Sequence, residues 1–468
     1  MLRLPKEITG IMKTIEDDGY QVYIVGGSLR DLLLGIQPED WDLASNVPPE
    51  RVAELFGDGK SVADTADDKS GSGASIANDD ELKSVADDMA KSKAEDDSKD
   101  GRKDSTGRKY GVVRVRKGDL TADVAALRID GNYSDHRRPD DVIFTDNIEE
   151  DLARRDFTIN GMAYHPQKGI IDPYDGRKDL KDRLIRTIGD PEKRFTEDPL
   201  RILRGIRLAG QLDFDLTMDT FTAMQKTACL LEQISMDRRR TEFERLLTTK
   251  NTGKALRMCV STNVLNAIFN DCYPPKGRME NGDLSVLIQN IDRSRCDADL
   301  RLALLLLCFE KKKAMKAIDE LNLSKERARM QKAAQNLLMD LYFAVDKYSL
   351  KRFIYLNGED VYDFLTSLCK QQREVYETPG YRIESRYYIL DDIKKSKEPI
   401  YVEDLAIDGN DLIEAGIVEG EKVGEMLNML LDVVHRFPGL NTKPKLLKKA
   451  KALKNPIRAK FRNIYLVK

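Results

Sequence analysis

Asp40 and Asp42 stand one residue apart in the stretch YIVGGSLRDLLLGIQPEDWDLAS, a short way behind the pair Gly26 and Gly27. Residues i and i+2 of a strand project to one face, so Asp40 and Asp42 in extended chain present both carboxylates together. Two like charges that close repel unless a cation neutralises them. Oxygen ligands of this kind suit Mg²⁺, which takes one or two carboxylates and completes its shell with substrate phosphates. Gly26 and Gly27 lack Cβ atoms, so a triphosphate can approach the backbone N–H groups that open the following helix. Arg30, one turn into that helix, is in reach of the same phosphates. A Gly-Gly pair or a DxD alone is common; their ordered combination is specific.

The elements that must carry these residues follow from the pattern around them. QVYIVGG reads as a strand, SLRDLLLG as a helix closed by Gly35, and WDLAS as a second strand. From Asp64 to Ser105 large apolar residues almost disappear, which predicts a disordered insertion. KYGVVRVRKGDLTADVAALRI reads as strands around a turn at Lys117 to Asp119. Beyond Thr196 a helical period runs to the C-terminus, broken near YPPKGRMENGD and YETPGY, which mark subdomain joints. The last segment, Lys443 to Lys468, is rich in Lys and Arg, has no Asp or Glu, and interleaves Phe461 and Tyr465. A phosphate-contacting tail and a solvated helix face account for it equally well.

At 468 residues the chain is too long for one core, so several domains are expected. A net charge of −3 offers no general basic field, and any nucleic-acid contact must come from local clusters. The six cysteines form no CxxC pair and sit in apolar context, as reduced buried thiols do. Three histidines without ligand spacing argue against zinc. The longest apolar run, LALLLLCF, is too short to span a bilayer, and MLRLPKEITG lacks a signal-type core. A soluble, cytoplasmic protein is expected.

In TEDPLRILRGIR, Leu200, Leu203 and Ile206 recur at helical spacing, with Pro199 in the first turn. The other stripe carries Glu197, Asp198, Arg201, Arg204 and Arg207. By itself it reads as an ion-pair face. An aspartate beside an arginine also sets an acceptor next to a donor, which complements the amine and ring nitrogen shared by cytosine and adenine.

The order of Gly-Gly, Arg30 and Asp31, then DxD resembles the nucleotidyltransferase superfamily that includes DNA polymerase β. VGGSLRDLLLG…DWDLASN is similar to the class II family of tRNA nucleotidyltransferases and bacterial poly(A) polymerases. Further blocks follow in family order: ALRIDGNYSDHRRPDDVIFT, EEDLARRDFTINGMAY, IDPYDGRKDLKDRLIRTIGDPEKRFTEDPLRILRGIRLA and EDLAIDGNDLIEAGIVEGEKVGEMLNMLL. The resemblance implies an α+β nucleotidyltransferase head with a mixed sheet over 1–160, interrupted by the insertion at 64–105. A helical neck with the nucleotide-reading helix (161–250), a helical body (251–345) and a helical tRNA-binding body and tail (346–468) would follow.

The resemblance also implies roles. Asp40 and Asp42 hold Mg²⁺, and Asp123 in TADVAALR takes the place of a third catalytic carboxylate that is usually Glu. Gly26, Gly27, Arg30 and Arg155 bind the nucleotide; Asp198 and Arg201 read its base; Glu197 orients Arg201; Arg204 and Arg207 lie near. Asp156 and Asn160 fix the ribose or the loop. GKSV and STGRKYGVVRV look like two halves of the CCA-adding pattern KTVPTGIKHGTVTV, with Tyr110 for the usual His, whereas poly(A) polymerases carry an LVGRRFRL-like segment. DGNYSDHRRPDDVIFT resembles the flexible loop used in switching from C to A. The expectation is addition of CCA to tRNA, held by its acceptor and TΨC arms, from CTP and ATP, by a monomer or homodimer. Poly(A) synthesis, addition of CC or A alone, and an inactive RNA-binding protein are the alternatives. An attached phosphohydrolase is excluded, since DADLRLALLLLCFEKK has no His-Asp dyad.

Overall fold

The computed structural model describes residues 2–57, 111–131, 142–270, 283–377 and 383–454. The insertion at 64–105, the centre of DGNYSDHRRPDDVIFT, most of both expected joints, Tyr110, and the tail beyond Lys454 lie outside the described residues. The chain divides into two compact units, Met1–Asp271 and Cys272–Lys468.

In the first unit, helix α1 (Lys6–Asp17) buries Ile8, Ile11, Met12 and Ile15, one face at helical spacing, in the core under the sheet. Strand β1 (Val22–Val25) is buried along its length. It runs directly into α2 (Gly26–Leu33), so both glycines belong to the helix rather than to a loop before it. Gly35, at φ 75°, ends α2: its N–H donates to the Leu32 carbonyl at 3.1 Å and the Ile36 N–H to the Asp31 carbonyl at 2.8 Å. These two bonds satisfy carbonyls that the helix leaves open. Next come β2 (Trp41–Ser45), α3 (Pro49–Phe56) and the hairpin β3 (Val112–Lys117) and β4 (Leu120–Ala126), which turns at Gly118. After the short pair β5 (Arg128–Asp130) and β6 (Val142–Phe144) follow α4 (Ile148–Ala153), β7 (Ala163–His165) and β8 (Gly169–Ile171).

The main sheet has the order β3-β4-β2-β1-β7-β8. Its neighbours are antiparallel except β2 and β4, which run parallel, so the sheet is mixed as expected. Because β7 and β8 complete it, the sheet extends past the expected head boundary at 160. The helices α5 (Gly176–Asp182), α6 (Pro191–Glu197), α7 (Leu200–Leu212), α8 (Met218–Thr227), α9 (Met236–Leu247), α10 (Thr252–Ser261) and α11 (Val264–Phe269) finish the unit. Residues 251–271, expected in the body, belong here because α10 packs closely on α7. A Cβ on Gly210 would lie 2.9 Å from both Ala255 Cβ and Thr249 Oγ1.

The described part of the second unit is helical: α12 (Leu284–Asn290), α13 (Ala298–Leu306), α14 (Lys311–Glu320), α15 (Lys325–Phe343), α16 (Lys347–Asn357), α17 (Glu359–Tyr376), α18 (Glu384–Lys395), α19 (Gly409–Glu414), α20 (Lys422–Arg436) and α21 (Lys443–Lys454). The basic helix α21 buries Leu446 and Ala450 in a core with Leu412, Leu430 and Val434, and exposes its lysines. Among the described residues no helix is long and apolar enough to cross a membrane.

Candidate active site

Gly26 and the Asp42 carboxylate meet at the start of α2. Gly26 sits at φ 64°, a conformation that side chains disfavour. A Cβ added there would lie 3.1 Å from Arg155 Nη1 and 3.2 Å from Asp42 Oδ2, so the bare glycine leaves a notch shared by a guanidinium and a carboxylate. Ser28, buried on α2, joins the helix to the DxD segment. Its hydroxyl donates to the Asp40 carbonyl at 3.0 Å and accepts from the Asp42 N–H at 2.7 Å. Asp40 therefore lies just before β2 rather than within it, with its backbone pinned by the same hydroxyl that pins Asp42. Sequence reasoning passed over Ser28, although its place directly after the glycine pair was a signal.

These residues fit a divalent cation. The donors are hard carboxylate oxygens one residue apart, and the notch beside Asp42 is open because a Cβ is missing. Among the described residues no three His, Cys, Asp or Glu side chains are placed to share one ion. A site of two carboxylates completed by nucleotide phosphates matches Mg²⁺ preferences. Asp123 is the partner of Asp42 in the β2–β4 register, yet both its oxygens engage Arg114, at 2.8 and 3.1 Å.

Arg30, expected at the phosphates, is 6% exposed and turned inward. Its Nε and Nη2 lie 2.8 Å from Asp31 Oδ1, and its Nη1 donates to Asn160 Oδ1 at 3.0 Å. Asn160 Nδ2 in turn donates to Asp156 Oδ1 at 3.3 Å, and Asp156 Oδ2 accepts from Arg204 Nε at 3.1 Å. A continuous chain of side chains thus runs from α2 to α7. Burial alone would raise the Asp156 carboxyl, but Arg204, Arg201, the Phe157 N–H and the Asn160 amide outweigh it and hold it below the usual carboxylate range. Arg207 stands apart from this chain, donating to Glu242 of α9 at 3.0 Å.

The expected single helix across TEDPLRILRGIR is two helices. Glu197 ends α6, Asp198 is extended at φ −142° and ψ 96°, and α7 starts after Pro199. The physical cause is Pro199: it has no N–H to donate back, and its ring pushes the preceding residue out of helical geometry. The break frees Asp198 from a helix face. Its Oδ1 accepts the Leu200 N–H at 3.2 Å and lies 4.0 Å from Arg238 Nη2. Arg201, 6% exposed, is held by Glu197 at 3.1 Å and by the carbonyls of Arg194 at 3.2 Å and Arg154 at 3.4 Å. The Glu197 carboxylate, expected to orient Arg201, lies against its guanidinium. Arg194, which sequence reasoning missed, shares Glu197 and caps the end of α4 through the carbonyls of Ala153 and Arg155, at 2.8 and 2.7 Å. Asp151, nearly inaccessible, holds Arg154 and Arg155 from the other side. Gly205 lets α7 settle onto Phe157, whose Cζ would be 2.8 Å from a Cβ there.

Residues 22–106 and 85–186 match the model of the poly A polymerase head domain, and residues 213–273 match that of the probable RNA and SrmB-binding site of polymerase A. The chain is 29% identical over 454 residues to the CCA-adding enzyme of Ligilactobacillus salivarius, covering 96% of each chain. It resembles in fold the CCA-adding enzyme of Bacillus stearothermophilus solved in complex with CTP, at 24% identity and a TM-score of 0.70 over 98% of both chains. The Thermotoga maritima CCA-adding enzyme solved with tRNA aligns over 97% of both chains, with 21% identity and a TM-score of 0.58. The head-domain and RNA-binding-site matches, with sequence identity that spans 96% of the chain, place it in the class II tRNA nucleotidyltransferase and bacterial poly(A) polymerase family.

Proposed function

We propose that the protein adds CCA to the 3′ end of tRNA from CTP and ATP, without a nucleic-acid template, and releases pyrophosphate. The observation that carries this reading is the pair Asp198 and Arg201, each anchored by protein groups at the helix break and joined by the backbone bond from the Arg201 N–H to the Asp198 carbonyl at 3.1 Å. An acceptor beside a donor suits the amine and ring nitrogen of cytosine and adenine, whereas uracil and guanine present a carbonyl beside an N–H. A buried polar group left unpaired by the wrong base can discriminate by about 10⁴-fold, so no template is needed. Relatives that carry the same architecture over nearly their whole length are CCA-adding enzymes, and two similar folds are known with CTP and with tRNA.

The RNA 3′ oxygen bonds to the α-phosphorus of the nucleotide in line with the departing oxygen; the bond to the β-phosphate bridge breaks, its electron pair leaves with pyrophosphate, and the hydroxyl proton passes to solvent water. Asp40 and Asp42 would hold a divalent cation, which polarises the α-phosphate and acidifies the attacking hydroxyl. Ser28 fixes the backbone of both aspartates. Arg155 faces the notch above Gly26, where it meets the triphosphate together with the N–H groups of α2. The Arg30–Asn160–Asp156–Arg204 chain ties that grip to α7, so phosphate and base are held at a set separation. The lysines of α21 and the helical second unit suit the acceptor and TΨC arms, which duplex-RNA binders recognise by shape and phosphate. The enzyme is assigned to the cytoplasm. Sequencing the 3′ ends made on truncated tRNA with CTP and ATP together tests the reading: CCA supports it, while ends of CC, A alone or poly(A) would each overturn it.

A further inference from the structure

Three strands place Asp42, Asp123 and Arg114 in one row. The parallel β2–β4 register sets Asp42 opposite Asp123, and the antiparallel β3–β4 register sets Arg114 opposite Asp123. Partners in adjacent strands present their side chains on the same face. The Arg114 guanidinium grips Asp123 bidentately, Nε to Oδ1 at 2.8 Å and Nη2 to Oδ2 at 3.1 Å. Both side chains are partly buried, so the pair is less screened by solvent than a surface ion pair. A fork of this kind is among the strongest and most directional of ion pairs. Independently, no third carboxylate among the described residues is placed to share an ion with two others.

We propose that Arg114 holds Asp123 out of the metal site, so that Asp40 and Asp42 alone supply the protein's ligands and Asp123 acts as the anchor of Arg114. The inference rests on Asp40 and Asp42 being the metal pair. Arg114 is then a positioning residue: it sets how much negative charge the site presents, since ligand charge count tunes the affinity for a divalent cation. Its guanidinium also stands in the row that leads to Asp42, where it lowers the repulsion between neighbouring carboxylates.

Mn²⁺ binding to the full chain, followed by the electron paramagnetic resonance of the free ion, reads this directly and without turnover. Asp42→Asn is expected to weaken Mn²⁺ binding by about tenfold or more, while Asp123→Asn, nearly isosteric, leaves it within about twofold. Arg114→Gln should tighten binding by about three- to tenfold, because Asp123 is released to add its charge, and the double variant R114Q/D123N should return to the wild-type value. Circular dichroism and thermal melting check that each variant is folded. If Asp123→Asn weakens Mn²⁺ as much as Asp42→Asn does, Asp123 is a ligand and the inference is overturned; so it is if folded Arg114→Gln binds Mn²⁺ as the wild type does. If neither Asp40→Asn nor Asp42→Asn alters binding, the carboxylate pair itself is wrong, and the inference falls with it.

Discussion

Asp156 shows how a single buried residue links stability to the site. With Arg204 on one oxygen and Asn160 and the Phe157 N–H on the other, its carboxylate form is favoured in the folded chain despite burial. A carboxyl whose folded value is depressed stabilises the fold above its unfolded pKa of about 3.9, and that contribution is lost as pH falls through the lower folded value. Asp151, which burial raises but Arg155 and Arg154 lower further, has the same sign. Asp156→Asn is therefore expected to be less stable than the wild type at pH 7 and to lose less stability on acidification below about pH 4. Denaturant unfolding across that range checks it; a parallel pH dependence would contradict it. Asp198 offers a second test at this scale. Asp198→Asn exchanges one acceptor oxygen for a donor, so kcat/KM for CTP should fall by about 10- to 100-fold and UTP incorporation should rise relative to CTP. An unchanged CTP to UTP ratio would remove Asp198 from base reading.

Among elements, the informative contact is the one between α2 and α7 through Asn160. Neither helix needs the other to form: α2 is closed by its Gly35 cap, and α7 has an apolar face of Leu203 and Ile206 buried in the unit. What Asn160 adds is their relative position. Asn160→Ala leaves Arg30 and Asp156 each one partner short, a loss of about 1–3 kcal/mol where such groups are buried. The expected result is a fall of about tenfold in kcat/KM for both CTP and ATP, because misplacement of a bound group by a fraction of an ångström penalises attack on either nucleotide alike. A variant that slows only one nucleotide would show instead that Asn160 touches that substrate. The break at Pro199 belongs to this scale as well, since it sets Asp198 in extended geometry between two helices.

Over the whole molecule, the basic helix α21 is part of a core and a charged surface at once. Leu446 and Ala450 are fully buried, so deleting the helix would expose apolar surface as well as remove charge. Lys443 pairs with Asp411, whereas Lys448, Lys449 and Lys451 are exposed. Replacing these three with Gln should reduce the slope of log tRNA affinity against log salt by about two units, since each neutralised phosphate contributes about 0.7–0.9. A slope equal to that of the wild type would place the tRNA contact elsewhere. Strands β1 and β2 and the β3–β4 hairpin were legible because alternation, apolar runs and a Gly-Asp turn are local signals, and Gly35 announced the end of α2 for the same reason. Helix α1 has as clear an apolar face in Ile8, Ile11 and Ile15, yet it carries no chemistry and so was not singled out. By itself the sequence determined which chemical groups are present and in what order: two carboxylates behind a glycine pair, an Asp-Arg pair behind a proline, and a family pattern spanning both. The tertiary structure alone decided which partner each charged group takes. Arg30 turns to Asn160 across 130 residues, and Asp123, set beside Asp42 by the parallel β2–β4 pairing, turns instead to Arg114, which the antiparallel β3–β4 pairing sets opposite it. Such choices depend on strand register and burial between segments distant in the chain, where the strength of an ion pair is set by geometry and desolvation that no local spacing encodes.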